Sequence, residues 1–500
     1  MKKSELKKDK STSEKPKSLT AKAGILAIAT ASQQVIMLIL AMILSRYLSV
    51  ADYGSYQQLF MIYTILVTVV SLGLPASINY FIAKADSKEE EKAYVIQTYL
   101  MLLGMALIAS VLFFFLSGLV SKGFHNPELN GLIKVYIWFF FFLTPIQFIN
   151  QLLVVINKTK QLAIYRNVFA ALRLVSVVIP VLLKADLKII IISLVFFSFI
   201  QFVYTTLIIF KPYTNVKMCW SKLLLKTQTA YSVYIGLASI LDIITKQLDQ
   251  LMISFFFLSG MFAIYANGAK ELPFIGLITG SVMAVLTPTF VRLYKEKKNT
   301  EILRIWHESA RKIALILFPV TAFLILFAKE CMIILFSSKY AESAIIFQIY
   351  LLTTPLRIVT YGAMLMAINK TKLIFRASIF ALIIDTILNL LFIQWFGIIG
   401  PAISTVLVLY FLAGYHLRNI KNGLKIKYSE VMPWKKIFKL ILLSVLPLII
   451  ILPIKMLAMP MLAKFIIAGI IYSIAFIMLI LGLKEVTVKE IEGNIRKVLH

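Results

Sequence analysis

The sequence has little of what soluble enzymes use. Two cysteines, Cys219 and Cys331, occur in 500 residues, with no CxxC and no Cys/His cluster. That scarcity excludes a sequence-readable metal centre. The two are expected near opposite membrane faces, which excludes a disulfide between them. His125, His307, His416 and His500 are scattered and read as loop or interface residues. No GxSxG, P-loop lysine motif, HExxH or Gly-rich dinucleotide fingerprint is present. Long polar stretches are missing too. No segment can house a nucleotide-binding domain, so ATP-driven transport by this chain alone is excluded. Acidic residues are also scarce, 23 against 52 Lys and Arg, for a net charge of +29.

What is abundant is apolar surface. Hydrophobic residues make up 60% of the chain, and the mean hydropathy is +0.88. A soluble protein cannot hide that much, because its outside stays largely polar. A bilayer can, and it needs about 20 apolar residues per spanning helix. Stretches of that length recur throughout. The positive charge lies in the short loops between them, not on a soluble face, so it reads as membrane orientation and not as nucleic-acid binding.

The expected fold is all-α and polytopic. About fourteen transmembrane helices are expected, near 22–46, 55–83, 93–118, 132–155, 162–183, 188–210, 229–257, 264–291, 311–336, 342–367, 373–395, 397–417, 437–457 and 462–483. With the N-terminus inside, about 39 of the 52 basic residues fall in inside segments and about 9 outside, which is the positive-inside pattern. A missed span would invert the bias beyond it. Both termini are therefore expected in the cytoplasm. The polar start to about Thr20 reads as a solvated tail and not a cleaved signal peptide. Three pieces, Met218–Thr227, Glu301–Ser309 and Glu485–Leu499, are candidates to lie flat on the cytoplasmic surface or to act as linker helices.

An internal repeat organises the chain. Ile156-Asn157-Lys158-Thr159-Lys160 recurs as Ile368-Asn369-Lys370-Thr371-Lys372, 212 positions later. Thr144-Pro145 and Thr354-Pro355 precede the two copies, and Pro75 matches Pro288. Spans 1–6 and 7–12 read as two six-helix lobes in parallel pseudo-twofold relation, with two C-terminal helices appended. The expected division is a basic tail (1–21), an N-terminal lobe (22–210) and an interfacial linker (211–228). A C-terminal lobe (229–417), a cytoplasmic loop (418–436), the last two spans (437–483) and a cytoplasmic tail (484–500) complete it.

Charges at bilayer depth cost roughly 3 kcal/mol each unless they face protein or water. Arg173, Asp242, Lys246, Asp249, Lys270, Glu271, Arg357 and Asp385 all fall at such depths. Asp242, Lys246 and Asp249 share one helical face by their spacing. The cations Arg173, Arg357, Lys246 and Lys270 are candidates to bind an anionic cargo. The acids Asp242, Asp249, Glu271 and Asp385 are candidates for cation coupling or for buried ion pairs that only fix packing. Asp385, with Asn389 one turn on, is a candidate to hold a coupling cation or to pair with an arginine. Gln33, Gln34, Asn79 and Gln147 suit sugar hydroxyls, or helix–helix hydrogen bonds.

The stretch Leu44-Ser45-Arg46-Tyr47-Leu48-Ser49-Val50-Ala51-Asp52-Tyr53-Gly54-Ser55-Tyr56 and the stretch Leu72-Gly73-Leu74-Pro75-Ala76-Ser77-Ile78-Asn79-Tyr80-Phe81 resemble the polysaccharide-repeat flippases. These are the O-antigen and capsule (Wzx-type) exporters of the multidrug/oligosaccharidyl-lipid/polysaccharide superfamily. The resemblance implies a secondary transporter and not an enzyme, multi-pass in the bacterial inner or plasma membrane. Its cargo would be an undecaprenyl-diphosphate-linked oligosaccharide, flipped from inner to outer leaflet by alternating access for cell-surface polysaccharide biosynthesis. It implies no cofactor beyond a coupling ion, H+ or Na+. Membrane lipids and the lipid-linked glycan are the implied partners, with a glycan polymerase and glycosyltransferases as candidates and no nucleic acid. Alternative readings are a peptidoglycan-precursor (lipid II) flippase, a cation-coupled multidrug antiporter, or a membrane-embedded glycosyltransferase.

Overall fold

The computed structural model describes residues 16–217 and 221–483. The surface piece Glu485–Leu499, the 484–500 tail, residues 1–15 of the basic tail, and Met218 to Trp220 with Cys219 lie outside the described residues. The N-terminal half runs α1 (Pro16–Tyr47), α2 (Val50–Ser71), α3 (Leu74–Lys84), α4 (Lys88–Gly123), α5 (Glu128–Leu143), α6 (Ile149–Val155), α7 (Thr159–Leu182) and α8 (Leu187–Phe210). The C-terminal half follows with α9 (Lys222–Phe256), α10 (Ser259–Gly268), α11 (Pro273–Lys295), α12 (Asn299–Leu326), α13 (Ala328–Phe336), α14 (Ser343–Leu351), α15 (Tyr361–Ala367), α16 (Thr371–Phe396) and α17 (Gly400–Leu424). A short α18 (Tyr428–Val431) leads to α19 (Trp434–Val445), α20 (Leu448–Met456) and α21 (Met461–Gly482).

The described chain is a multi-pass helical membrane protein. Among the described residues, nine helices are long and apolar enough to cross a bilayer, or ten when the bent pair α2 and α3 is one span. The apolar window of α21 has a mean hydropathy of 2.6, yet only 22% of it is buried. Large apolar side chains such as Ile28, Leu182 and Met456 point outward. Lipid is the solvent that suits such a surface.

Several expected spans are broken: α5–α6 and α10–α11 are not among the nine, and Ser343–Ala367 is among them despite its break, whereas α9 is unbroken yet not among them. A proline removes an N–H and crowds the preceding turn. Thr144-Pro145 separates α5 from α6, and Pro355 lies in the 3-10 turn Thr354–Ile358 between α14 and α15. Both broken helices end in the same turn. Asn157 and Asn369 take left-handed backbone, φ 60° and 56°. Lys158 N–H reaches the Leu153 carbonyl at 2.7 Å, and Lys370 N–H reaches that of Leu365 at 2.8 Å. Asn157 N–H and Asn369 N–H close the inner bonds to Val154 and Met366 at 3.0 and 3.1 Å. This is a Schellman cap with asparagine in the place glycine often takes. The repeated pentapeptide is thus a repeated helix end.

The α2–α3 bend of 41° follows from close approach between the halves. A Cβ on Gly73 would lie 2.4 Å from the Ser232 carbonyl oxygen of α9. One on Gly236 would lie equally close to the Leu72 backbone. Nearer the end where α1 finishes (the distal end), a Cβ on Gly54 would sit 1.8 Å from the Ser259 carbonyl oxygen. Tyr53 donates to Asn267 at 3.1 Å there.

The distal end is also tied by two cations at helix ends. The Arg46 guanidinium donates to the Leu335 carbonyl at 2.7 Å and to that of Ile334. Lys339 returns the contact, donating to the Arg46 and Leu48 carbonyls at 3.2 and 3.0 Å. Each positive group meets the free carbonyls at the other helix's C-terminus, where the helix dipole favours it.

One expectation needs correction. Glu301–Ser309 does not lie flat on a membrane surface. It is the first part of α12, with Ile302 and Trp306 buried against protein. Trp306 Nε1 donates to the Val431 carbonyl at 3.0 Å. The apolar face that suggested a membrane partner packs on the chain's own loop.

Candidate functional site

Each half walls a cavity with equivalent helices. In the N-terminal half, α1 gives Gln33, α2 gives Tyr63, and the α5–α6 break gives Gln147 and Asn150. Helix α7 adds Arg166 and Arg173, and α8 adds Gln201, around about 470 Å³. In the C-terminal half, α9 gives Lys246 and Asp249, and the α10–α11 break gives Lys270 and Glu271. The α14–α15 break adds Arg357, α16 adds Asp385 and α17 adds Thr405, around about 360 Å³. The helix breaks bring polar side chains and frayed backbone to bilayer depth only where they line a cavity, as a membrane requires.

The repeat shows how the two cavities differ. Arg173 and Asp385 each stand sixteen residues after the turn asparagine. Gln147 and Arg357 each stand three residues after the threonine of Thr-Pro. At equivalent places, one half carries Gln and Arg, and the other carries Arg and Asp.

The C-terminal cavity is rich in paired charge. Arg357 bonds Glu271 at 3.1 Å. Its own helix offers no acid, so the partner comes from the neighbouring break. Lys246 pairs with Asp242 at 2.8 Å, both well exposed; Asp242 sits one turn outside the cavity lining. Lys270 makes no ion pair with Glu271, which bonds Arg357 instead. Its ammonium lies 3.2 Å from Asn267 Oδ1 and 4.8 Å from the Phe336 ring centre, an arrangement in which the ring face attracts the cation.

Asp249 and Asp385 are buried together. Asp249 accepts hydrogen bonds from Tyr350, Thr405, Tyr265 at 3.1 Å and Asn389 Nδ2 at 3.2 Å. Asp385 accepts from Ser404 at 2.7 Å and from the same Asn389 nitrogen at 3.1 Å. One amide therefore serves two carboxylates. Among the described residues, no Lys or Arg pairs with either. Carboxylates so placed repel unless a positive charge joins them.

The N-terminal cavity has no carboxylate among its described lining residues. Arg173 stacks against Phe139, 5.2 Å from its ring centre. Arg166 donates to Asn150 Oδ1 at 2.9 Å and to Thr30 at 3.2 Å. Gln147 donates to Ser71 of α2.

Of the amides singled out from sequence, Gln33 and Gln147 line this cavity, whereas Gln34 and Asn79 do not. Gln34 buries its oxygen without a partner, and Asn79 is exposed midway along α3. Arg166 escapes a reading by charge because it counts with the basic loop before α7. Its signal is its seven-residue spacing from Arg173, two turns along one face. Tyr265, Tyr350, Ser404 and Thr405 are ordinary membrane-helix residues with no sequence signal.

The family described as "Polysaccharide biosynthesis protein" matches residues 43–345. An uncharacterized membrane protein of Methanocaldococcus jannaschii is 26% identical over 58% of this chain and 57% of its own length. The Haloferax volcanii protein named "Probable low-salt glycan biosynthesis flippase Agl15" is 24% identical over 43% of this chain and 46% of its own. The chain thus spans about half the length of the curated relatives it matches. Among solved structures, the lipid II flippase MurJ in an inward closed conformation superposes with a TM-score of 0.70 at 17% identity. It covers 90% of this chain and 97% of that one. An inward-facing multidrug resistance MATE family transporter of the MOP superfamily gives 0.62 at 15% identity, over 80% and 99%. These likenesses show the fold.

Proposed function

The chain belongs to the polysaccharide biosynthesis protein family, and on that footing we propose that it flips lipid-linked glycans. The cargo is an undecaprenyl-diphosphate-linked oligosaccharide repeat unit, moved from inner to outer leaflet by alternating access. It serves cell-surface polysaccharide biosynthesis, and the chain acts as a secondary transporter and not as an enzyme. The name of the Haloferax volcanii relative supports this reading. The observation that carries it is that each of the four candidate cations lines a cavity, Arg173 the N-terminal one and Lys246, Lys270 and Arg357 the C-terminal one. Guanidinium and ammonium groups in a low-dielectric cleft suit a diphosphate. Amides such as Gln33 and Gln147 suit sugar hydroxyls.

The membrane is the bacterial inner or plasma membrane with both termini cytoplasmic, as the loop charges favour. The distal end then faces outside. The N-terminal lobe (22–210) and the C-terminal lobe (229–417) rock about their contact, and the distal ties part when the cargo leaves. Asp249 and Asp385 hold the coupling ion, a proton or Na+, between them. Glycan polymerase and glycosyltransferases are the working partners.

Proteoliposomes loaded with a fluorescent undecaprenyl-diphosphate oligosaccharide provide the test. Protein-dependent appearance of the glycan on the opposite leaflet is expected. A rate equal to that of empty liposomes would overturn the proposal. Lipid II and a drug, run in parallel, test the two other readings, which the names of the MurJ and multidrug resistance MATE structures suggest. Preference for either would replace the glycan.

A further inference from the structure

We propose that Tyr80 of α3 and Tyr231 of α9 form a stacking platform for a sugar ring, on the way from the cytoplasmic mouth to the C-terminal cavity. Asn79 and Lys84 are its polar rim. The proposal deepens the lipid-linked glycan reading and rests on it.

The two rings lie nearly parallel, 4.9 Å apart at 16°. Buried Phe81 stands edge-on to both, at 5.1 and 5.4 Å, and backs the pair. Tyr80 and Tyr231 remain 46% and 39% exposed, so the pair offers aromatic surface to a ligand. Among the described residues, neither phenol oxygen has a hydrogen-bond partner. The Lys84 ammonium lies 5.8 Å from the Tyr80 ring centre, and Asn79 is exposed beside it. The C–H face of a pyranose packs on an aromatic ring. The hydroxyls round its edge take phenol, amide and ammonium partners.

Tyrosines also collect where a bilayer meets water, and such a belt faces lipid. The spacing along α9 argues against a belt here. Tyr231 stands eighteen residues before Asp249, five full turns, and eleven before Asp242, close to three. It therefore shares their face, about 27 Å along the axis from Asp249. Thr245, Lys246 and Asp249 line the C-terminal cavity. Asp242 and Lys246 keep 62% and 66% of their side chains exposed, and exposed charge at bilayer depth needs water and not lipid. Tyr231 thus lies on the side of α9 that opens to water below the cavity.

The duplicated scaffold does not call for the pair. Tyr80 comes five residues after Pro75, and Leu293 comes five residues after Pro288. Leu293 is buried, so packing at that place is met by an aliphatic side chain. The platform is also held in position. Just before Tyr231, buried Gln228 donates to Ser77 at 3.2 Å and to Thr98 at 2.7 Å, which ties α9 to α3 and α4. Rings fixed in this way lose little freedom when a ligand docks.

The full-length protein in lipid nanodiscs tests this with two probes, undecaprenyl diphosphate bearing a neutral trisaccharide and undecaprenyl diphosphate alone. Tyr80→Ala and Tyr231→Ala should each weaken the glycan-bearing lipid about fivefold, the scale of one aromatic contact. Both should bind the bare lipid within about twofold of wild type, which also shows that they are folded. Tyr80→Phe and Tyr231→Trp keep an aromatic face and should retain most of the glycan affinity. Tyr428, 46% exposed and stacked on Trp434 in the connection from α17 to α19, is the control for a general surface effect. Tyr428→Ala should leave both probes unchanged. Equal losses for the two lipids, the same loss in Tyr428→Ala, or wild-type glycan affinity in the Tyr80→Ala/Tyr231→Ala double variant would each overturn the platform. Tyrosine-dependent preference for the glycan, in a protein that moves none across proteoliposomes, would sink the transport reading and leave the platform standing. Active flipping by a double variant with wild-type glycan affinity would do the opposite.

Discussion

Sixteen residues past the asparagine turn, the N-terminal half places Arg173 and the C-terminal half places Asp385. The surrounding helices correspond, the preceding Thr-Pro breaks correspond, and the turns share one hydrogen-bond pattern. The charge at the centre does not correspond. A duplicated scaffold can thus keep its backbone devices and exchange its chemistry. Helix ends and breaks are set by local rules that tolerate few residues. A cavity-facing side chain need only find a partner or a ligand.

That contrast can be attacked directly. The largest effect is expected from Asp249→Asn with Asp385→Asn, which keeps the shape and removes the paired negative charge. Gradient-driven flipping should fall on the order of 100-fold, the cost of losing charged hydrogen-bond acceptors at one site. Binding of the lipid-linked glycan by the cavity cations should persist, as a nanodisc titration would show. If both fall together, the halves do not divide their tasks.

Next is the contact that joins the halves. Gly54→Ala puts a methyl where backbone already sits at 1.8 Å. The clash should cost roughly 2 kcal/mol, in the range of overpacked interiors, and lower the melting temperature in detergent. An unchanged melt would mean that the halves separate freely at this point.

Arg173→Gln and Arg357→Gln sharpen the comparison further. The first removes a cation with no acidic partner and should cut flipping about tenfold. The second frees Glu271 to repel an anionic cargo from the same cavity, so adding Glu271→Gln should recover much of its loss. Recovery measured by glycan display on cells would mark Arg357 as a partner more than a binder. The smallest effect belongs to Asp242→Asn. Its exposed pair with Lys246 should be worth less than about 0.5 kcal/mol, which thermal denaturation can bound.

Much of this layout is legible in the chain, and the misses have physical reasons. Apolar runs reveal helices because a bilayer admits little else. The Thr-Pro breaks and the asparagine turn are local, so their residues announce them. The α2–α3 bend is not local: Gly73 is left-handed so that α3 can pass Ser232 and Gly236 on another helix. The depth of a charge can be counted along a span, which brought Arg173, Lys270 and Arg357 forward. Its partner cannot be counted when it comes from elsewhere. Glu271 reaches Arg357, and Asn389 joins Asp385 to Asp249, through contacts between distant segments. Depth also says nothing of facing. Gln33 lines a cavity, and its neighbour Gln34 does not.

The distal clasp of Arg46 and Lys339 binds main-chain oxygens on both sides. Acidification has no carboxylate to neutralise there, and no exchange of a receiving side chain can delete an acceptor. Its grip is therefore insensitive to acid, though salt screens such exposed charge. On the proposed rocking cycle, it opens by a movement of α1 against α13.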